Sequence, residues 1–135
     1  MATSTLTEDN FVSTIESEGI VLVDFWAEWC GPCRQFGPIF EKASEGHPDI
    51  VFGKVDTDAQ QQLAGAMGIS SIPTLMAFRD GIGVFAQPGA MPGSSLEQVI
   101  QAVRDLDMDD VRARIAEHEA GHDHDHDHDG HDHNH

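Results

Sequence analysis

The run Trp29-Cys30-Gly31-Pro32-Cys33 holds both cysteines of the chain and follows closely on an apolar stretch, Ile20-Val21-Leu22-Val23-Asp24-Phe25. An almost unbroken apolar run of that length reads as a central strand covered on both faces. Gly-Pro next to it reads as the opening of a helix, because proline's missing N–H costs nothing in a first turn. A buried strand feeding a helix that packs back over it restricts the chain to layered α/β architectures. Two thiols spaced by two residues can also close a small, reversible disulfide. The unsatisfied N–H groups of the helix face the first sulfur, lower its pKa and favour the thiolate, which is the nucleophile. The spacing therefore points to dithiol–disulfide exchange. A static disulfide or half a zinc site is the alternative, and the zinc reading needs a second cysteine pair that the sequence lacks.

The other elements follow from periodicity and punctuation. Thr7 reads as the N-cap of an opening helix with Glu8 and Asp9 in its first turn and Phe11, Val12 and Ile15 on its apolar face, ended by Gly19. Residues 31 to about 45 form a second helix interrupted by Pro38. Ile50 to Asp56 is a second strand, Ala59 to Met67 a short helix, and Thr74 to Arg79 a third strand. Asp80-Gly81 signals a tight turn into a fourth strand, Ile82 to Gln87. Ser94 to Leu106 is an amphipathic helix with Leu96, Val99, Ile100 and Val103 on one face. Parallel strands with crossovers, then a hairpin, predict a central mixed β-sheet with helices on both faces.

Composition narrows the function classes. The 24 acidic and 7 basic residues give a formal charge of −17, and the part before residue 121 still carries a net −12. Such a surface repels nucleic acid and anionic membranes. The N-terminus lacks the basic flank and apolar core of a signal peptide, and no apolar run is long enough to span a bilayer. Two cysteines in a single CxxC are too few and too close for a secreted disulfide framework. These features predict a monomeric protein of a reducing, cytoplasmic compartment.

The motifs taken together, Asp24-Phe25-Trp26-Ala27-Glu28-Trp29-Cys30-Gly31-Pro32-Cys33, Pro38, Lys54-Val55-Asp56, Ile72-Pro73-Thr74, Gly81 and Gly89-Ala90, resemble the thioredoxin family in kind and order. The resemblance runs from about Thr5 to Asp105 and implies the thioredoxin fold over residues 1–107; beyond it the composition changes, with room for an extra C-terminal helix at 108–120 and a low-complexity sequence that reads as a disordered tail at 121–135. Ser70-Ser71, where the family often has a basic residue, and Pro88, where a β-branched residue is common, depart from its pattern. They bear on partner choice rather than chemistry.

The resemblance implies a protein-disulfide reductase that cycles between dithiol and disulfide, maintains cell redox balance and is re-reduced by NADPH-dependent thioredoxin reductase. No tightly bound cofactor is expected. Disulfide-containing client proteins are the expected partners. Cys30 becomes the exposed attacking thiol and Cys33 the buried resolving thiol. Asp24, an acid inside an apolar strand, acts in proton transfer at Cys33, with Lys54 as its charge partner. Gly31-Pro32 marks a reducing rather than an oxidising pair. Pro73 is expected in cis, with the backbone before it pairing with the substrate. Trp29, Gly31, Pro32, Ile72, Pro73, Gly89 and Ala90 make the substrate-binding surface. Trp26 is expected to pack under the turn, and Arg34 to be an exposed helix residue.

The last residues are a separate problem. His122, His124, His126, His128, His131, His133 and His135 alternate mainly with Asp. Imidazoles with nearby carboxylates suit Zn²⁺ or Ni²⁺. A solvated tail or an appended purification sequence is the plainer explanation, although the irregular order is unlike an ordinary poly-His run. The alternative function is a metal buffer or delivery module that works through this tail.

Overall fold

Strand β2 (Ile20–Trp26) lies at the centre of a five-stranded sheet because nearly every residue in it is apolar and buried. The computed structural model describes residues 2–128, with side chains described through residue 119. In chain order the elements around β2 are β1 (Thr3–Thr5), α1 (Phe11–Ile15), α2 (Gly31–Gly46), β3 (Val51–Asp56), α3 (Gln61–Ala66), β4 (Thr74–Arg79), β5 (Ile82–Pro88) and α4 (Gly93–Arg104). The sheet order is β1-β3-β2-β4-β5. Strands β1 and β2 run parallel to β3, whereas β4 runs antiparallel to both β2 and β5.

Alternation along β2 divides the core. Val21, Val23 and Phe25 point to one face and join Leu6, Phe11, Val55 and Phe78 in a single cluster, with Phe11 edge-on to Phe78 at 6.1 Å between ring centroids. Leu22 and Asp24 point to the other face. Leu22 pairs with Phe52 and Asp24 with Lys54, and Phe52 packs against Phe40 of α2 at 5.2 Å. Asp24 and Lys54 therefore share the face that α2 covers. The helix continues through Pro38, which forfeits one i→i−4 bond without ending it.

Two local expectations need correction. Thr7 does not cap α1: the Asn10 side chain turns back to accept the Thr7 backbone N–H at 2.7 Å, making residues 8–10 a turn, and Asn10 becomes the N-cap. The first strand was not expected at all, since Thr3-Ser4-Thr5 carries no apolar signal and is recruited by pairing with Phe52 to Lys54. The hairpin does form at Asp80-Gly81, where φ is +53° and +83° as a primed turn requires.

The chain divides into two compact units at Arg104/Asp105. The second contains α5 (Met108–His128), which extends past residue 120 into the stretch where composition predicts no packed structure. Its start is well specified. Asp107 accepts the N–H groups of Asp109 and Asp110 at 3.1 and 3.3 Å, and Arg114 bonds Asp110 one turn away at 2.9 Å. Among the described residues no helix is long and apolar enough to cross a membrane.

Candidate redox site

The C-terminal end of β2 hands the chain to α2 through Ala27 to Cys30, and Cys30 itself is the N-cap of the helix. Its Sγ accepts the backbone N–H of Cys33 at 3.2 Å, the placement that directs the helix end at the first sulfur. Cys30 and Cys33 are joined in a disulfide with Cα atoms 5.2 Å apart. Gly31 and Pro32 form the exposed turn between them, and a Cβ on Gly31 would meet nothing within 4 Å.

Cys30 is not the more exposed member of the pair. Both cysteines are 4 % exposed, against the expected contrast between an open and a buried thiol. The reason is packing: Ala27, Cys30 and Cys33 form one cluster with Trp26 and Ile72 against it. The Ile72 carbonyl oxygen lies 3.6 Å from Cys30 Sγ, a close approach without a hydrogen bond while the sulfur is in the disulfide. In this oxidised state the two sulfurs differ by the helix cap rather than by burial.

Around the pair, the Ile72–Pro73 peptide bond is cis and Pro73 is buried. The Pro73 carbonyl accepts the Gly89 N–H at 2.7 Å, which draws Gly89 and Ala90 beside the Ile72–Pro73 segment. Gly89 takes φ +99°, so a side chain there would be strained although space is open. Trp29 is 66 % exposed, and its indole N–H donates to Asp58 at 2.9 Å. Asp58 was absent from the sequence-level candidates. It is 29 residues away, and only the spatial meeting of two loops brings it to the site. Arg34 is exposed and donates to the Glu28 carbonyl at 2.9 Å, as a surface helix residue would.

Asp24 is fully buried, and neither of its carboxyl oxygens has a hydrogen-bond partner. Burial pushes its pKa up to about 7, while the positive Lys54 on β3 pulls it back. Lys54 stands over the Trp26 ring, 5.2 Å from the centroid. Cys33, Trp26, Gly37, Lys54 and Glu41 line a cavity of about 400 Å³ beside the active-site helix. A carboxyl that is half-protonated near neutral pH can take a proton from a buried thiol or return it. Thiol, carboxyl and amine thus lie on one side of the sheet. Ile72 stands beside Cys30, and Gly89 beside Pro73.

The thioredoxin family model matches residues 2–102. This chain belongs to the thioredoxin family. Putative thioredoxin 2 of Streptomyces coelicolor is 60 % identical over 119 residues, covering 88 % of this chain and 89 % of the relative. Thioredoxin of Bacillus subtilis is 40 % identical over 101 residues, covering 74 % of this chain and 96 % of the relative. The solved structure of Plasmodium falciparum thioredoxin superposes with a TM-score of 0.69 at 36 % identity, over 74 % of this chain and 98 % of that one. The mixed five-stranded sheet flanked by helices is the thioredoxin fold. With its redox-active Cys30–Cys33 pair, the protein is a thiol–disulfide oxidoreductase.

Among the described residues no group of three or more His, Cys, Asp or Glu side chains is poised to hold a metal. His131, His133 and His135 lie outside the described residues, as do the side chains of His122, His124, His126 and His128. The thioredoxin site itself offers no ligand set beyond its two sulfurs.

Proposed function

We propose that this protein reduces disulfides in client proteins and is returned to the dithiol by an NADPH-dependent thioredoxin reductase. The observation that carries this reading is the Cys33 N–H on Cys30 Sγ at 3.2 Å, which places the helix end where thiolate charge develops. Thioredoxin-family proteins act with thioredoxin reductase and disulfide-containing substrates.

In the reaction, the Cys30 thiolate attacks one client sulfur and a Cys30–client bond forms as the client S–S bond breaks. The departing client sulfur leaves as thiolate and takes up a proton. Cys33 then gives its proton to Asp24, directly or through water, and attacks Cys30. The second client sulfur leaves, so two electrons have passed from the pair to the client as the Cys30–Cys33 disulfide closes. Lys54 limits how far the buried carboxyl rises, and so holds it in the range where it can both accept and donate. Trp29, Gly31, Pro32, Gly89 and Ala90 are exposed and uncharged, and with half-buried Ile72 and buried Pro73 behind them they offer an edge to an extended client segment, bound by backbone pairing. A monomer in a reducing cytoplasm fits a chain whose only cysteines are the reactive pair.

Insulin reduction coupled to NADPH oxidation by a thioredoxin reductase tests this function. Wild type sustains turnover and Cys30→Ser abolishes it. Turnover that survives Cys30→Ser, or a complete reductase system that gives none, would overturn the proposal.

A further inference from the structure

One face of the redox helix carries Cys33, Gly37 and Glu41, spaced four residues apart and so stacked one above the other along α2. All three line the cavity of about 400 Å³, together with Lys54. Lys54 crosses from β3 over the Trp26 ring, and its ammonium reaches the middle of this row. A Cβ on Gly37 would stand 3.6 Å from Lys54 Nζ, so the glycine keeps that place open. Glu41 lies one turn further along, and both of its carboxyl oxygens are held. Oε1 accepts the Thr3 hydroxyl at 2.8 Å, and Oε2 accepts the Ala2 N–H at 3.0 Å. The same strand, β1, pairs with β3 so that Thr5 stands beside Lys54. One short strand therefore fixes the Lys54 backbone on one side and the Glu41 carboxyl on the other.

Lys54 thus stands between two acids of opposite circumstances. Asp24 is its register partner on β2 and has no hydrogen bond, whereas Glu41 is half-buried and has two. The Thr3 hydroxyl holds the Glu41 carboxyl below its usual range, so Glu41 stays charged while Asp24 titrates near neutral pH. The other charged or titratable groups on this side are Cys33 and Arg34 of α2 and Glu28 ahead of it, and Arg34 Nε is committed to the Glu28 carbonyl. We infer that Glu41 is a positioning residue in the disulfide reduction proposed above, on which this role rests: fixed by β1, its carboxylate draws the Lys54 ammonium towards Gly37 and away from Asp24. A buried carboxyl with a cation set fully against it stays ionised and makes a poor proton acceptor. With the cation shared, Asp24 can take the Cys33 proton and release it again.

The Asp24 carboxyl carbon is followed by nuclear magnetic resonance across pH in the full-length oxidised protein, where the two sulfurs do not titrate. Glu41→Gln is expected to lower the Asp24 midpoint by about half a pH unit, roughly a threefold loss of proton affinity. Thr3→Ala removes one bond but keeps the carboxylate, and is expected to shift the midpoint by less than half as much. In a Lys54→Gln background the effect of Glu41→Gln is expected to shrink by at least half, because no ammonium is left to hold. In the reduced protein, the pH profile for client release from the Cys30 mixed disulfide is expected to move to lower pH with Glu41→Gln. An unmoved midpoint, an equal shift from Thr3→Ala, or an undiminished effect without Lys54 would each overturn this role. Because the titration needs neither client nor reductase, failed insulin reduction would count against the reductase function, and an unmoved midpoint against Glu41.

Discussion

Asp24 shows most directly how one side chain links stability to chemistry. Its pKa in the fold is about 7 against an ordinary 3.8, so between those values the folded protein holds a proton that the unfolded chain has lost. Stability is therefore full at the acid end of that window and falls as pH rises through it, by an amount on the order of 4 kcal/mol when complete. Asp24→Asn should flatten this slope. Denaturant unfolding of the oxidised protein at pH 5 and pH 8.5 is expected to show a large loss for wild type and little change for the variant, and parallel slopes would sink the assignment. The same variant should slow release of client from the mixed disulfide. At this scale the sequence was readable where chemistry is local. A carboxylate in an apolar strand and two thiols at a helix start identify themselves. Equal burial of the two cysteines and the tie from Trp29 to Asp58 depend on segments distant in sequence, and no local pattern encodes them.

Among the elements, the edge strand β1 is the least self-sufficient and depends on one glycine. Gly53, paired with Ser4, is buried, and a Cβ there would overlap the Leu6 side chain, with Cγ only 2.7 Å away. Leu6 is 2 % exposed and belongs to the apolar cluster beneath β2, so it has little room to yield. Gly53→Ala should therefore cost about 1–3 kcal/mol by overpacking, despite the better strand propensity of alanine. Chemical denaturation measures it, and a neutral or stabilising result would show that Leu6 can move. A glycine inside an apolar strand is itself a sign of close approach, but what approaches it could not be read. Strands β2 and β4 and helix α2 were legible because their burial is written in continuous apolar runs or a clear face. The opening strand was not, because Thr3-Ser4-Thr5 acquires its conformation only from its partner.

For the whole molecule, net charge sets behaviour that no single contact explains. A chain at −17 repels itself when compact, and added salt screens that repulsion. Raising sodium chloride from about 10 mM to about 150 mM, across which the Debye length falls from roughly 30 to 8 Å, should raise the thermal midpoint of the oxidised protein. Differential scanning calorimetry checks this, and an unchanged or lowered midpoint would show that native ion pairs such as Arg104–Asp49 outweigh the overall repulsion.

The hydrogen bond from Gly89 to the Pro73 carbonyl has a wider consequence. It makes the proposed client-facing edge out of loop backbone at the end of an outer strand, whereas Asp24 sits mid-way along the central one. Selectivity and reactivity are thereby housed in parts of the chain with very different tolerance for change. New clients can be acquired by replacing exposed loop residues such as Ser71 or Ala90 while the electron-transfer machinery stays as it is, so a lineage carrying this scaffold can diversify its targets without reinventing its chemistry.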